Sequence, residues 1–344
     1  MASRRRFRRA GMPSRLRTNS PDSVHSFDMK IVLPGGSGHV GSVLARHFAA
    51  AGHEVVVLSR SPTTGPVRHV AWDAKNPGPW SSEIDGADVV INLAGRSVDC
   101  RYTAKNRQLI LDSRVDSTRA VGRAIQSAAR PPRVWLQSST ATIYAHRFDA
   151  PNDEASGIIG GEEQGVPETW RFSIAVAKAW ESAANESITP ATRKVLMRSA
   201  MVMHPDRGSI FDVLLKLVRL GLGGRAGSGR QFVSWIHERD FIEAVDFLIA
   251  RDDLAGPVNL ASPNPLPYTD FMRELRRAAG VPIGLPASEW MLAIGTFLLR
   301  TETELVLKSR RVIPGRLLAA GFNFHFPEWS AAAPELCERP RPSK

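Results

Sequence analysis

The chain has 344 residues, 43% of them hydrophobic, so it can bury the core of one large domain or of two modest ones. Its two cysteines, Cys100 and Cys337, are far apart and form no disulfide framework, which favours a reducing compartment and a cytoplasmic protein. The sequence contains no CxxC pair and no HExxH motif, so we expect no metal site.

The first 28 residues carry much of the positive charge. They hold seven arginines against two aspartates, which supplies +5 of the formal net charge of +11. This Arg- and Ser-rich segment lacks the apolar stretch of a secretory signal. It can be read as a transit-like peptide, as a disordered basic arm, or as an extension that precedes a natural start at Met29. Because the charge is concentrated there, we expect no specific nucleic-acid partner.

The sequence offers no membrane span. No window reaches the ~18–20 apolar residues that a spanning helix needs. The nearest candidate, "WMLAIGTFLL" at 290–299, has half that length and predicts a buried helix. We therefore expect no membrane partner.

In chain order, strand patterns alternate with helix patterns from Met29 onward. "KIVLPGG" predicts a first strand, and "HVGSVLARHFAAAG" has an apolar helical stripe that ends at Gly52. Continuous apolar runs typical of buried parallel strands follow, with a helix over roughly 104–129 among them. The later strand patterns lie at 54–60, 88–95, 133–139, 193–203 and 256–262. The alternation predicts an α/β fold, a Rossmann-type doubly wound parallel sheet.

The pattern changes after about residue 263. A proline-rich entry and an amphipathic helix replace the strand–helix alternation. We predict a Rossmann domain over 29–262, a small C-terminal domain on the substrate side over 263–332, and a loose tail over 333–344.

A glycine-rich loop follows the first strand. "PGGSGHVG" holds both a G-x-G-x-x-G and a G-x-x-G-x-x-G pattern, directly between a strand and a helix. Glycines there let the backbone approach a pyrophosphate, and the helix N-terminus favours negative charge. The predicted cofactor-binding residues of this loop are Gly35, Gly36, Ser37, Gly38, His39, Val40 and Gly41.

The second strand ends in Ser59 and Arg60 instead of an acidic residue. Arg60 lies 19 residues after Gly41, close to the ~20 at which an acid would bind the adenosine ribose. An arginine there would pair with a 2′-phosphate. We therefore predict that the cofactor is NADP(H), preferred over NAD(H).

The run "INLAG" ends the strand at 88–95. Since strand C-termini face the cofactor in this fold, we expect Asn92, Leu93, Ala94 and Gly95 to line the adenosine side. An ordinary β-turn is the competing interpretation.

Several segments resemble the short-chain dehydrogenase/reductase superfamily in its extended, epimerase-like branch. They match most closely its atypical "epimerase family protein" subgroup, which carries a small C-terminal domain of unknown function. The resemblance covers roughly residues 29–330 and implies a Rossmann domain that binds NADP(H). The matching segments are "INLAG", "RYTAKNRQLILDSRVDSTRAV", "AWE", "GLGGRAGSGRQFVSWIHERD" and "SRRVIPGRLLAAGFNF".

The resemblance also implies a catalytic Ser or Thr and a Tyr-x-x-x-Lys pair on a helix. In that arrangement the tyrosine exchanges a proton as hydride moves, and the lysine lowers the tyrosine pKa and binds the nicotinamide ribose. "QSSTATIYA" places Thr140 at the Ser/Thr position, with Ser138 alongside and Tyr144 following. Lys178 falls at the lysine position, but Ile174 stands four residues before it, and the sequence has no Tyr-x-x-x-Lys.

The missing tyrosine leaves three interpretations open. Another group, such as Tyr144, His237 or a water held by Thr140, serves as the acid. Alternatively, the redox step needs little proton help, or the protein binds NADP(H) without turnover as a regulatory or scaffold protein. The predicted catalytic residues are Thr140, Tyr144 and Lys178.

Four further side chains are candidates for substrate contact. Arg101 could meet a carboxylate or phosphate, and Gln231, Trp235 and His237 belong to a loop that could cover a substrate. A structural role competes for each of them. We expect an NADP(H)-binding oxidoreductase or epimerase-like protein with a small carbonyl or sugar-nucleotide substrate, and we keep a homodimer open.

Overall fold

The computed structural model describes residues 29–287 and 304–339. The basic N-terminal segment and the apolar segment at 290–299 lie outside the described residues. The strands are β1 Lys30–Pro34, β2 Glu54–Ser59, β3 Arg68–Ala71, β4 Val89–Asn92, β5 Val134–Thr140, β6 Arg193–Ser199, β7 Met201–Met203, β8 Phe232–Val233, β9 Trp235–His237, β10 Gly256–Leu260 and β11 Leu266–Pro267. The helices are α1 His39–Ala50, α2 Ala104–Ser127, α3 Glu168–Glu186, α4 Ile210–Arg219, α5 Glu238–Ala250, α6 Tyr268–Ala278, α7 Glu304–Leu307, α8 Gly315–Ala319 and α9 Trp329–Glu338.

A seven-stranded parallel sheet organises the molecule. Its order is β10-β6-β5-β4-β1-β2-β3, and every neighbouring pair is parallel. The chain runs outward from β1 in one direction through β2 and β3 and then returns to β4, so the strand order reverses between β1 and β4. Ligands of open α/β sheets bind at such a reversal, outside the carboxyl ends of the strands. The predicted doubly wound Rossmann-type sheet is confirmed.

Helices cover both faces of this sheet. On one face α1 and α5 contribute Leu44, Phe48 and Phe241 to a core with the strand side chains. On the other face α2 and α3 pack through Val121 and Ala184. The central strands are buried on both sides, which is why their sequences are continuous apolar runs without alternation.

The predicted strand over 193–203 is divided in the structure. Residues 193–199 form β6 in the main sheet, and after Ala200 the chain forms β7, which pairs with β9 in a separate two-stranded sheet. The division redirects the chain beyond the carboxyl edge of the main sheet.

Helices α6 and α9 pack with α4 in a smaller core. Trp329 of α9 stacks on Phe271 of α6 at 4.3 Å between ring centroids, and its indole N–H donates to the Phe271 carbonyl. Helix α9 continues to Glu338 and buries Leu336, so the predicted loose tail begins inside a packed helix. Among the described residues, no helix has the length and hydropathy needed to cross a bilayer.

Candidate functional site

A cavity of about 560 Å³ opens at the reversal between β1 and β4. Its walls come from the glycine loop, the end of β2, the loop after β4 and the first half of α2. It is lined by Gly35, Ser37, Gly38, Leu58, Ser59, Arg60, Ser61, Trp72, Asp73, Ala74, Lys75, Leu93, Ala94, Gly95, Arg96, Leu109, Asp112, Ser113 and Asp116.

The glycine loop has no room for a side chain at Gly35 or Gly41. Gly35 has φ +76°, and a Cβ built on it would lie 2.6 Å from the Ala94 Cα. A Cβ on Gly41 would lie 2.5 Å from the Gly36 Cα, so this pair brings α1 directly against the loop. Glycine is required at these positions because the backbones almost touch.

Helix α1 begins at His39, with Gly38 as its N-cap and no side chain capping it. The first N–H groups of an α-helix lack intrahelical partners and form a positive end that binds phosphate. Ser37 and Gly38 line the cavity at this point, and His39 and Val40 begin the helix itself. The predicted phosphate loop therefore borders the cavity.

At the end of β2, Ser59 and Arg60 line the same cavity. The Ser59 hydroxyl is buried, lies 3.3 Å from the Ser37 hydroxyl and donates to the Ser61 carbonyl. The Arg60 side chain is exposed, and no carboxylate in the described part of the chain pairs with it. Lys75 adds a second cation nearby, held 3.3 Å from Asp116.

The buried side chain of Asn92 fixes the conformation of the loop after β4 through hydrogen bonds. It is fully buried, its Nδ2 donates to Gln137 Oε1 at 2.9 Å, and its Oδ1 accepts the Ala94 N–H at 3.1 Å. Leu93, Ala94 and Gly95 line the cavity, while Asn92 holds the turn that presents them.

A second, smaller cavity of about 120 Å³ lies beyond the end of β5, between α2, α3 and the C-terminal segment. The Thr140 hydroxyl, which accepts the Thr142 N–H, reaches it from β5. Ser138 is half-buried on the same strand. The lining residues are Val98, Tyr102, Ile110, Arg114, Thr140, Thr142, Phe172, Ser173, Val176, Ala177, Trp180, Glu304 and Arg310.

Helix α3 presents Ser173 and Ala177 to this cavity. These residues are four apart and share one helix face. Ile174 is buried instead against Gly160 and Gly161. Lys178 is exposed, with its Nζ 3.8 Å from Glu162 Oε1, and neither cavity's described lining includes it. Lys178 as a ribose ligand therefore stays a prediction, and the residues one position earlier on α3, Ser173 and Ala177, are the ones that line the smaller cavity.

Tyr144 lies in a buried polar network. Its hydroxyl donates to Asn259 Oδ1 and accepts from Arg198 Nη1, each at 2.9 Å. Arg198 also forms two 2.8 Å bonds to the carboxylate of Glu181, which accepts from the Ser139 hydroxyl. Burial raises the pKa of Tyr144. Tyr144, the predicted acid, is therefore a neutral phenol whose hydroxyl is hydrogen-bonded to two side chains. It is not among the described residues that line either cavity.

Polar groups of the C-terminal segment form one wall of the smaller cavity. The Ser173 hydroxyl donates to Glu304 Oε2 and lies 3.4 Å from the Tyr102 hydroxyl. Lys308 Nζ lies 3.8 Å from Glu304, and burial lowers the pKa of Lys308 to about 8. Arg310 donates from Nε to Thr142 Oγ1. Sequence reasoning missed Ser173, Glu304 and Arg310, although the "SRR" segment that carries Arg310 stood among the matching motifs.

The candidate substrate residues lie apart from this wall. Gln231 is buried and bonds within its own loop, through Nε2 to the Ala226 carbonyl. Trp235 is fully buried against Trp329. Arg101 is half-buried, and neither cavity's described lining includes it.

His237 has a structural environment in the fold. It is fully buried, its Nδ1 accepts the Arg239 N–H at the start of α5, and its Nε2 lies 2.8 Å from Glu335 Oε2. Burial lowers the pKa of His237 to about 4. Its place between α5 and α9 differs from the expected position over a substrate.

Comparison with known proteins relates the whole described fold to one group. Residues 31–161 match the model of the NAD dependent epimerase/dehydratase family, and residues 287–336 match a domain of unknown function, DUF1731. The epimerase family protein SDR39U1 of Bos taurus is 34% identical over 314 residues, covering 90% of this chain and 99% of that protein.

Solved structures agree with this relationship. The crystal structure of human epimerase family protein SDR39U1 with NADPH has a TM-score of 0.78 and 29% identity, covering 90% of this chain and 99% of that one. A nucleoside-diphosphate sugar epimerase from Corynebacterium glutamicum has a TM-score of 0.70 and 25% identity, covering 90% of this chain and 58% of that one. The chain therefore belongs to the epimerase family proteins, an epimerase-like subgroup of the extended short-chain dehydrogenases/reductases.

Proposed function

We propose that this protein is an NADP(H)-binding oxidoreductase or epimerase-like enzyme that acts on a small carbonyl or sugar-nucleotide substrate. The observation that carries the proposal is the glycine loop, which borders a cavity of about 560 Å³ beside the unprotected N-terminus of α1. The loop fits a pyrophosphate because any Cβ on Gly35 or Gly41 would overlap backbone atoms. The NADPH in the structure of the human relative supports the same assignment.

The preference for NADP(H) over NAD(H) rests on Arg60. Its exposed guanidinium lines the adenosine end of the cavity, and Ser59 and Ser61 flank it with hydroxyl groups. An arginine at this place can pair with a 2′-phosphate, and charge-assisted hydrogen bonds of this kind change affinity by about 10- to 100-fold. We expect tighter binding of NADPH than of NADH in a fluorescence titration, and loss of that difference in Arg60→Ala. Equal affinities in the wild type would refute the preference.

The smaller cavity supplies groups for chemistry at a carbonyl. Bound NADP(H) would provide the hydride donor or acceptor. The Thr140 hydroxyl is available to orient a substrate oxygen from the end of β5. The hydrogen bond from Ser173 to Glu304 links the serine hydroxyl to a carboxylate, which can hold or return a proton at that hydroxyl.

A catalytically silent NADP(H)-binding regulatory protein is the competing proposal. It is favoured by the absence of a Tyr-x-x-x-Lys pair, since Ile174 stands four residues before Lys178 on α3 and the smaller cavity is lined there by Ser173 and Ala177. A protein that needed only to sense the cofactor would not require that pair.

Turnover separates the two proposals. The protein is mixed with NADPH or NADP⁺ and a panel of small carbonyls, alcohols and nucleotide-sugars, and hydride transfer and epimerisation are measured. An enzyme should turn over at least one compound and lose rate in Thr140→Val and Ser173→Ala with NADPH affinity retained. Tight NADPH binding without turnover across the panel would favour the regulatory protein.

A further inference from the structure

Arg114 of α2 places a positive charge in the smaller cavity, opposite the face of α3 that contributes no charged side chain to the cavity lining. Ala177 occupies the cavity-facing position of α3, and Lys178 faces solvent beside Glu162. The guanidinium of Arg114 enters from the opposite helix, with its Cζ 4.9 Å from the ring centre of Trp180 on α3. It therefore reaches the wall that Ala177 shares with Trp180.

The position of Arg114 joins the two cavities. It lines the smaller cavity with Thr140 and Ala177. A Cβ built on Gly95 would lie 3.2 Å from the Arg114 Cζ, and Gly95 lines the larger cavity. A molecule that extends from the adenosine end of the larger cavity into the smaller one must pass this guanidinium.

The charge of Arg114 is not neutralised within the described part of the protein. No carboxylate there pairs with it, and its hydrogen bonds run from Nη1 to the carbonyls of Arg96 and Ile110. In the described residues, Nε and Nη2 have no acceptor. Burial lowers the pKa of Arg114 to about 10, and the face of Trp180 offsets only part of the cost of burying a cation. A guanidinium so placed favours an oxygen-rich ligand that accepts its remaining N–H groups.

We propose that Arg114 binds the central segment of the dinucleotide, the pyrophosphate and nicotinamide-ribose oxygens, in place of a lysine on α3. The inference rests on the proposed binding of NADP(H) and assigns the residue that holds the middle of the cofactor. Pyrophosphate oxygens and ribose hydroxyls share the same chemistry toward a guanidinium, because both accept hydrogen bonds from N–H groups.

Three ligands divide the binding energy by segment. Adenosine 2′-monophosphate carries the adenosine end without the central segment, 2′-phospho-ADP adds the pyrophosphate, and NADPH adds the nicotinamide ribose. Isothermal titration is performed on the wild type, Arg114→Gln, Arg114→Lys and the matched control Lys178→Ala. Thermal unfolding of each variant is recorded alongside.

We expect Arg114→Gln to weaken NADPH by about 10- to 100-fold and to leave adenosine 2′-monophosphate within twofold of the wild type. Arg114→Lys should recover part of the NADPH affinity, and Lys178→Ala should bind every ligand as the wild type does. A loss that already appears with 2′-phospho-ADP assigns the pyrophosphate, and a loss confined to NADPH assigns the ribose.

Two results would overturn the inference while leaving the proposed function intact. One is unchanged NADPH affinity in Arg114→Gln. The other is an equal loss for NADPH and adenosine 2′-monophosphate, which would mean that Arg114 supports the fold of α2 and not the ligand. Failure of the wild-type protein to bind NADPH would instead contradict the proposed function itself.

Discussion

Replacement of Tyr144 by phenylalanine separates a structural tyrosine from a catalytic one. The hydroxyl joins Arg198 of β6 to Asn259 of β10 with two 2.9 Å hydrogen bonds, and all three side chains are buried. Phenylalanine keeps the ring and removes both bonds. It leaves a guanidinium N–H and an amide oxygen without this partner in a site that water does not reach.

The expected change in the free energy of unfolding follows from the loss of these two hydrogen bonds. A buried donor or acceptor left unsatisfied costs about 1–3 kcal/mol, and the charged donor places the loss toward the upper part of this range. Asn259 retains its bond from Nδ2 to the Ile313 carbonyl, and Arg198 retains the Glu181 carboxylate, so the network is weakened without being dismantled. We expect the free energy of unfolding of Tyr144→Phe to fall by about 2 kcal/mol.

The assay is urea denaturation followed by circular dichroism, paired with NADPH titration. Tyr268→Phe is the matched control, because among the described residues the Tyr268 hydroxyl has no hydrogen-bond partner. We expect Tyr268→Phe to unfold near the wild-type midpoint and both variants to retain NADPH affinity within twofold. Tyr144 is absent from the described lining of both cavities, which is the reason for the second expectation.

The opposite pattern would refute this reasoning. If Tyr144→Phe kept wild-type stability and lost hydride transfer to a substrate found in the panel, the hydroxyl would act on the substrate. The acid would then be the tyrosine that sequence reasoning selected, and the network would have to open during turnover.

Three further expectations follow from buried groups and from the glycine loop. Glu181→Ala should lower the free energy of unfolding, measured by urea denaturation, by about 3–5 kcal/mol, because it removes the counter-charge of the nearly buried Arg198 guanidinium. A loss below about 1 kcal/mol would contradict this expectation. Gly35→Val should abolish NADPH binding in a fluorescence titration, whereas Gly65→Ala, whose Cβ meets nothing within 4 Å, should bind normally. The pKa of His237 is about 4 in the folded protein and 6.5 in the unfolded chain, so the unfolded chain binds more protons between pH 4 and pH 6.5. The free energy of unfolding should therefore fall by up to about 3 kcal/mol as the pH drops from 6.5 to 4. His237→Gln should flatten that fall in urea midpoints measured across the range, and an unchanged pH profile would contradict the assignment.

Most of the parallel sheet could be predicted from the sequence. Its strands are buried on both faces, so their apolar runs are recognisable without knowledge of their neighbours. The glycine loop was equally accessible, because its spacing between a strand and a helix carries the geometry of the turn.

The sequence alone could not predict which side chains of α3 line the smaller cavity. A lysine on a helix has a defined place in the sequence, but its direction depends on how α2 and α3 pack, and one residue of register rotates a side chain by about 100°. The family resemblance assigns Lys178 by its position in the sequence, whereas the packing of α3 presents Ser173 and Ala177 to the smaller cavity. The smaller cavity also contains Glu304, which accepts a hydrogen bond from Ser173 although it lies 131 residues away in the sequence, and no local pattern links such distant residues.

The two cavities also differ in when the ribosome completes them. The described lining of the larger cavity ends at Asp116, whereas the smaller cavity also needs Glu304 and Arg310 from α7 and the segment after it. At a synthesis rate of roughly 5–20 residues per second, Arg310 leaves the peptidyl-transferase centre on the order of 10–40 s after Asp116. The described residues that line the larger cavity are therefore translated well before the last ones that line the smaller cavity, so a nascent chain contains the complete described lining of the first while the second still lacks part of its wall.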